Sequence, residues 1–217
     1  MSISVNHQPI LNSATSFKGG WKHTANGSQY YSSNAATTAG CVIGAIYAFD
    51  ALALKGFTSF LNNKLKNASK NSKKSIEMFK ESMEQINKKS KENYILLGTL
   101  GIGSVLCGLT VDLIRNKKAA NTADYVTQVG TRNAVLSGDN IEIAKSGRAY
   151  YHSNAGVKYG GLLGAGLGAI SGLILKAFGM KTNIVGVISS AISIGIGGLI
   201  MGAISDGITN SSAKKHS

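Results

Sequence analysis

Polar and apolar residues are segregated along this chain instead of alternating within each element. Four stretches are nearly free of charge. The first runs from Ala35 to about Phe60, interrupted by Asp50 and by Lys55 near its end. The second, Tyr94 to Val111, carries no charge until Asp112. The third, Gly160 to Leu175, lies between Lys158 and Lys176, and the fourth, Ile184 to Ser205, is uncharged for 22 residues. A helix of that length reaches roughly 33 Å, against a hydrocarbon core of about 30 Å. The pattern predicts four membrane-spanning helices. A soluble helix would place polar residues on one face of every turn, and these do not.

The small residues within the stretches are regularly spaced. Gly156, Gly160, Gly164, Gly168 and Gly172 recur every four residues, which on a helix forms a flat groove along one side. Gly40 and Gly44, flanked by Ala36 and Ala48, repeat the row in the first stretch, and Gly198 and Gly202 extend it into the fourth. Glycine costs about 1 kcal/mol relative to alanine in a water-exposed helix. In lipid the helix is enforced by its own backbone bonds, and glycine then allows close helix approach. These nine glycines predict a zipper that packs helices within hairpins and between copies of the chain.

The halves resemble one another. Tyr30-Tyr31-Ser32-Ser33-Asn34-Ala35 matches Tyr150-Tyr151-His152-Ser153-Asn154-Ala155, and Gly40 and Gly44 match Gly160 and Gly164. Later, Gly108, Asp112, Ile114 and Asn116 match Gly202, Asp206, Ile208 and Asn210. The expected fold is therefore an all-α membrane protein of two tandem, parallel-repeat hairpins. Its segments are a flexible polar arm over 1–34, a hairpin over 35–115, a polar connection over 116–155, a second hairpin over 156–208 and a polar tail over 209–217. Asp50, Asp112 and Asp206 are the acids within or bordering the spans. Asp50 is a functional candidate because an unpaired acid in a span is costly. Asp112 and Asp206 fall at equivalent depths, marking the water interface or, for Asp206, pairing with Lys158.

The connection 62–93 holds nine lysines and four glutamates, with Ile76, Phe79, Met83 and Ile86 in a helical stripe. It fits an anionic membrane surface and equally a helix packed on itself or on a protein partner. In the central connection, Val135 to Ile143 reads as a short β-hairpin turning at Ser137-Gly138-Asp139-Asn140.

Net charge is +13, comparable in the segments on either side of the spans, so orientation stays open. The start of the chain shows no cleavable signal pattern. Cys41 and Cys107 lie within apolar stretches and give neither a disulfide framework nor a metal spacing. His7, His23, His152 and His216 are scattered. With no phosphate loop, no nucleophile–base spacing and no nucleic-acid motif, the expectation is a non-enzymatic protein without metal or cofactor.

Two loose likenesses add to this. The helix from Gly160 to Phe178 resembles the first helix of the four-span mitochondrial inner-membrane protein-translocase family. That family carries a spaced Arg and Asp after its second helix, whereas Arg115 and Asp124 here have a different interval. The Ser/Asn/Ile-rich start, Met1 to Phe17, and the bilobed apolar block 157–207 resemble membrane-inserting effectors secreted by intracellular bacteria. The expected function is a self-associating, bilayer-embedded scaffold or effector-like protein. The alternative is a channel, pore or translocase component with a polar path along Asp50, Ser189, Ser190 and Ser193. The expected partners are the lipid bilayer and further copies of the chain, without nucleic acid.

Overall fold

The computed structural model describes residues 19–66, 73–138, 140–177 and 183–216, with side chains across 64–93 outside the described set. The stripe from Ile76 to Ile86 therefore lies outside the described side chains, as do Met1 to Phe17. The elements are β1 (Gly20–His23), β2 (Gln29–Ser32), α1 (Ala35–Lys66), α2 (Lys73–Val129), α3 (Thr131–Ser137), β3 (Ile141–Ile143), β4 (Ala149–Tyr151), α4 (Ala155–Ala177) and α5 (Ile184–His216). The described residues are thus mostly helical, with two small antiparallel hairpins.

Among the described residues, four helices are long and apolar enough to cross a membrane: Ala35–Ala53, Tyr94–Val129, Ala155–Ala177 and Ile184–Lys215. They are compatible with a multi-pass membrane protein. Helix α1 packs against α2 and α4 against α5, while α2 and α4 join the two pairs. The starts of α1 and α4 meet the same ends of α2 and α5, so α1 and α4 run one way and α2 and α5 the other.

The interior is made of small and polar residues. Ala36, Ala119, Ala155, Ser153, Ser171 and Ser205 are buried, while Leu113 and Leu162 are each 70% exposed. Ile102, Ile184, Ile192 and Ile208 also point outward. A water-soluble domain places its large aliphatic side chains the other way round.

Four boundaries differ from those read in the sequence. Residues 20–32, assigned to a flexible arm, form a β-hairpin in which Trp21 faces Tyr31 across the strands and meets it edge-on. Its turn puts Gly27 at φ 82°, a backbone state that glycine adopts without strain. The central hairpin exists but is shifted: Ile141–Ile143 pairs with Ala149–Tyr151, turning at Gly147 (φ 83°), while Val135 and Leu136 belong to helix α3. Helices also continue where polar segments were expected. Residue 116 lies inside α2, which ends at Val129, and α5 runs through 209–216. Polar sequence does not stop a helix that already has a packed apolar stem, and neither segment contains proline.

Candidate functional site

The richest chemistry of the chain lies where the starts of α1 and α4 meet the later turns of α2 and α5. Arg115 is 1% exposed, and Asp112 and Asp206 are nearly as buried. The guanidinium donates through one terminal nitrogen to Asp112 Oδ1 at 2.6 Å and through the other to Asp206 Oδ1 at 2.9 Å. The second nitrogen also reaches Ser205 Oγ at 2.9 Å, and Nε donates to Ser153 Oγ at 3.1 Å. Arginine suits this role because its planar fork reaches several acceptors at once and keeps its charge.

Each carboxylate also caps a helix to which it does not belong. Asp112 Oδ2 accepts from the Thr37 backbone N–H and hydroxyl, both at 2.7 Å, at the start of α1. Asp206 Oδ2 accepts from the Val157 N–H at 2.9 Å, at the start of α4. A helix N-terminus presents roughly half a positive charge. One guanidinium and two helix starts therefore offset two carboxylates in a region without bulk water. Burying ions costs several kcal/mol each unless they are paired and hydrogen-bonded in this way.

A ring of neutral groups surrounds the ions. Asn116 accepts from the Ser33 N–H at 2.8 Å and donates to the Ser33 carbonyl at 3.0 Å. Asn210 does the same to Ser153, at 2.7 and 2.9 Å. Ser33 Oγ and Thr209 Oγ1, 2.7 Å apart, link the first hairpin to α5. The sequence reading put Asp112 and Asp206 at equivalent depths; here both carboxylates bind Arg115. Of its two readings for Asp206, the water interface or a pair with Lys158, the second is replaced: Arg115 holds Asp206, while Lys158 is solvent-facing and lies beside the Tyr159 ring. Arg115, Ser153 and Ser205 were not singled out. Their only signals were a cation next to an apolar stretch and small hydroxyls among the small residues.

The glycines lie on the inner surfaces of the pairs. A side-chain carbon at Gly156, Gly160, Gly164 or Gly168 would collide with backbone carbonyls of α5, and one at Gly172 would press on Val187. Gly198 and Gly202 face α4 just as closely, and Gly40 and Gly44 abut α2. Backbone approach of this kind leaves little room for a second copy against the same faces. Between the four helices lies a cavity of about 280 Å³, lined by Gly40, Gly108, Gly160, Gly198, Leu167 and Ser193 among others.

Asp50 is exposed on α1 beside Phe49, and Ser189 is exposed on α5. Of the four residues proposed for a polar path, Ser193 lines this cavity and Asp50 does not. Among the described residues, no three His, Cys, Asp or Glu side chains gather as metal ligands, and Cys41 and Cys107 are free thiols. Comparisons of the chain with protein families, with curated proteins and with solved structures find no match.

Proposed function

We propose that this chain is a non-enzymatic multi-pass membrane protein, built by tandem duplication, that serves as a bilayer-embedded scaffold or effector-like insert. One observation carries the reading: glycine, alanine and serine fill the inside while leucine and isoleucine face out. Lipid is the solvent that makes such an exterior favourable. The glycine rows then act as zippers within each hairpin. The duplication is supported by the matching grips of Asn116 on Ser33 and Asn210 on Ser153. It is supported further by the matching turns, with Gly27 N–H donating to the Thr24 carbonyl and Gly147 N–H to the Ala144 carbonyl.

Association between copies, on this reading, uses outer faces. Asp50 on the exposed side of α1 is the natural place to look, since a lone acid facing lipid calls for a partner. The basic connection 62–93 serves as a further contact for anionic lipid or a protein. The pore alternative is disfavoured by a cavity lined mainly by glycine and apolar groups and bordered at one end by Ser205 of the ion network.

Alkaline carbonate extraction of membranes carrying the full chain tests the first claim. The chain should stay in the pellet, and recovery in the wash would end the membrane reading. Ion flux from liposomes reconstituted with the chain tests the second. Scaffolding predicts leakage no greater than in empty vesicles, and protein-dependent flux would replace it with a pore.

A further inference from the structure

A second polar hollow, of about 420 Å³, opens between α2 and α4 outside the buried ion network. Its walls are Lys118, Asn121 and Thr122 from α2, Asn140 and Tyr151 from the central hairpin region, and Asn154 and Lys158 at the start of α4. The two ammonium groups converge on one ring: Lys118 Nζ lies 5.4 Å and Lys158 Nζ 5.9 Å from the centroid of Tyr159. Among the described residues neither lysine has a carboxylate partner. Two ammonium groups about one ring, with no described carboxylate beside either, make a cationic patch that an anionic ligand would neutralise.

Tyr151 also borders the hollow, but its hydroxyl is buried, on the side of Asp206 and Arg115. One further feature points the same way as the lysines. Asn140, on the rim, holds a left-handed backbone (φ 64°), and the Nδ2 of Asn154 reaches its side-chain oxygen at 3.5 Å. The wall thus offers two cations, side-chain amides and Thr122, a set suited to the several oxygens of a phosphate.

Position along the helices suggests where that phosphate comes from. Lys118 follows the outward-facing Leu113 by five residues, roughly 7 Å along the axis. The hollow therefore sits just past the apolar belt, at the level of lipid headgroups, where basic pockets between spans take anionic lipids. The geometry points to a binding site for a phosphate group, that of an anionic phospholipid, at Lys118 and Lys158. The lipid as source rests on the membrane reading, whereas phosphate recognition by the hollow does not.

The test uses the full chain, purified in an uncharged detergent and stripped of lipid. Native mass spectrometry measures retention of phosphatidic acid against phosphatidylcholine, and thermal unfolding is followed with inorganic phosphate. The wild type should prefer phosphatidic acid by roughly tenfold. A Lys118→Gln/Lys158→Gln variant should lose that preference, while Lys117→Gln, altering the exposed neighbour, should keep it. Should the double variant fail to fold, Lys158→Gln alone provides the second measurement, with retention weakened severalfold. Protection of the wild type by inorganic phosphate, without lipid preference, would support the site and assign it to free phosphate. Equal retention by wild type and double variant would overturn the proposal, as would an equal loss in Lys117→Gln.

Discussion

Arg115 and Asp206 meet at 2.9 Å although 91 residues separate them, and through this contact the second helical pair is tied to the first. Because Arg115 also holds Asp112, removing the guanidinium would leave two buried carboxylates facing each other.

Arg115→Met should therefore destabilise the folded chain by about 3–5 kcal/mol, the usual cost of breaking a buried ion set from one side. Adding Asp112→Asn and Asp206→Asn should recover much of the loss, because no net charge then remains buried. Unfolding in detergent, followed for the single and the triple variant, measures both. Equal destabilisation of the two would mean that charge balance is not what the network supplies.

Gly164 and Gly166 lie two residues apart yet differ in surroundings. A side-chain carbon at Gly164 would lie 2.6 Å from the Ile194 carbonyl, and one at Gly166 would meet nothing within 4 Å. Gly164→Leu should force α4 and α5 apart at a cost of about 1–3 kcal/mol or more, while Gly166→Leu should be nearly neutral. Disulfide cross-linking between cysteines introduced across α4 and α5 would report the separation.

The solvent around the bundle can be read at Ile196, which is 52% exposed. In lipid, Ile196→Lys should raise the cost of insertion by about 2.5–3.5 kcal/mol. In water an exposed substitution of this kind stays within about 0.5 kcal/mol. A translocon insertion assay on the α5 segment separates the two.

The central hairpin should respond to pH at both extremes. Tyr150 donates to Glu142, and His152 Nδ1 lies 2.9 Å from the same carboxylate. The Tyr150 bond, helped by His152, holds the Glu142 carboxyl below its ordinary value of 4.5. That contribution is present above the ordinary value and fades as pH falls below it. Burial, then the bond to Glu142, pushes the Tyr150 phenol up to about 12. The neutral phenol is favoured in the fold, so this contribution is whole below pH 10 and lost as pH rises from 10 to about 12. Ultraviolet titration should show a late phenol that Tyr150→Phe removes, and the thermal unfolding midpoint should fall at both ends.

The four long helices were legible because lack of charge over a span's length is a local signal. The polar ends were not. Arg115 reads locally as the first cation after an apolar stretch, and nothing nearby reveals that Ser153, Ser205 and Asp206 will surround it. The matching of Asp112 with Asp206, and of Asn116 with Asn210, was visible in the sequence without the reason for it. That reason is capping: each half sends a carboxylate and an amide back to the start of its own hairpin. The first β-hairpin was missed because Gly20-Trp21-Lys22-His23 has too few apolar positions to alternate, and its Tyr31 packs on other elements. The central turn was misplaced because Val135 and Leu136 look like strand residues but close a short helix.

The cap shared between Asp112 and Arg115 has a consequence for biogenesis. These two residues are neighbours on one helix turn and are synthesised together, so they can pair as a neutral couple before the rest of the chain exists. Asp206 is translated long afterwards, and Arg115 has a free hand for it only until α5 arrives. Arrival of the last helix is therefore the event that completes the ion network, and a chain cut short before Asp206 would leave Arg115 with one carboxylate instead of two.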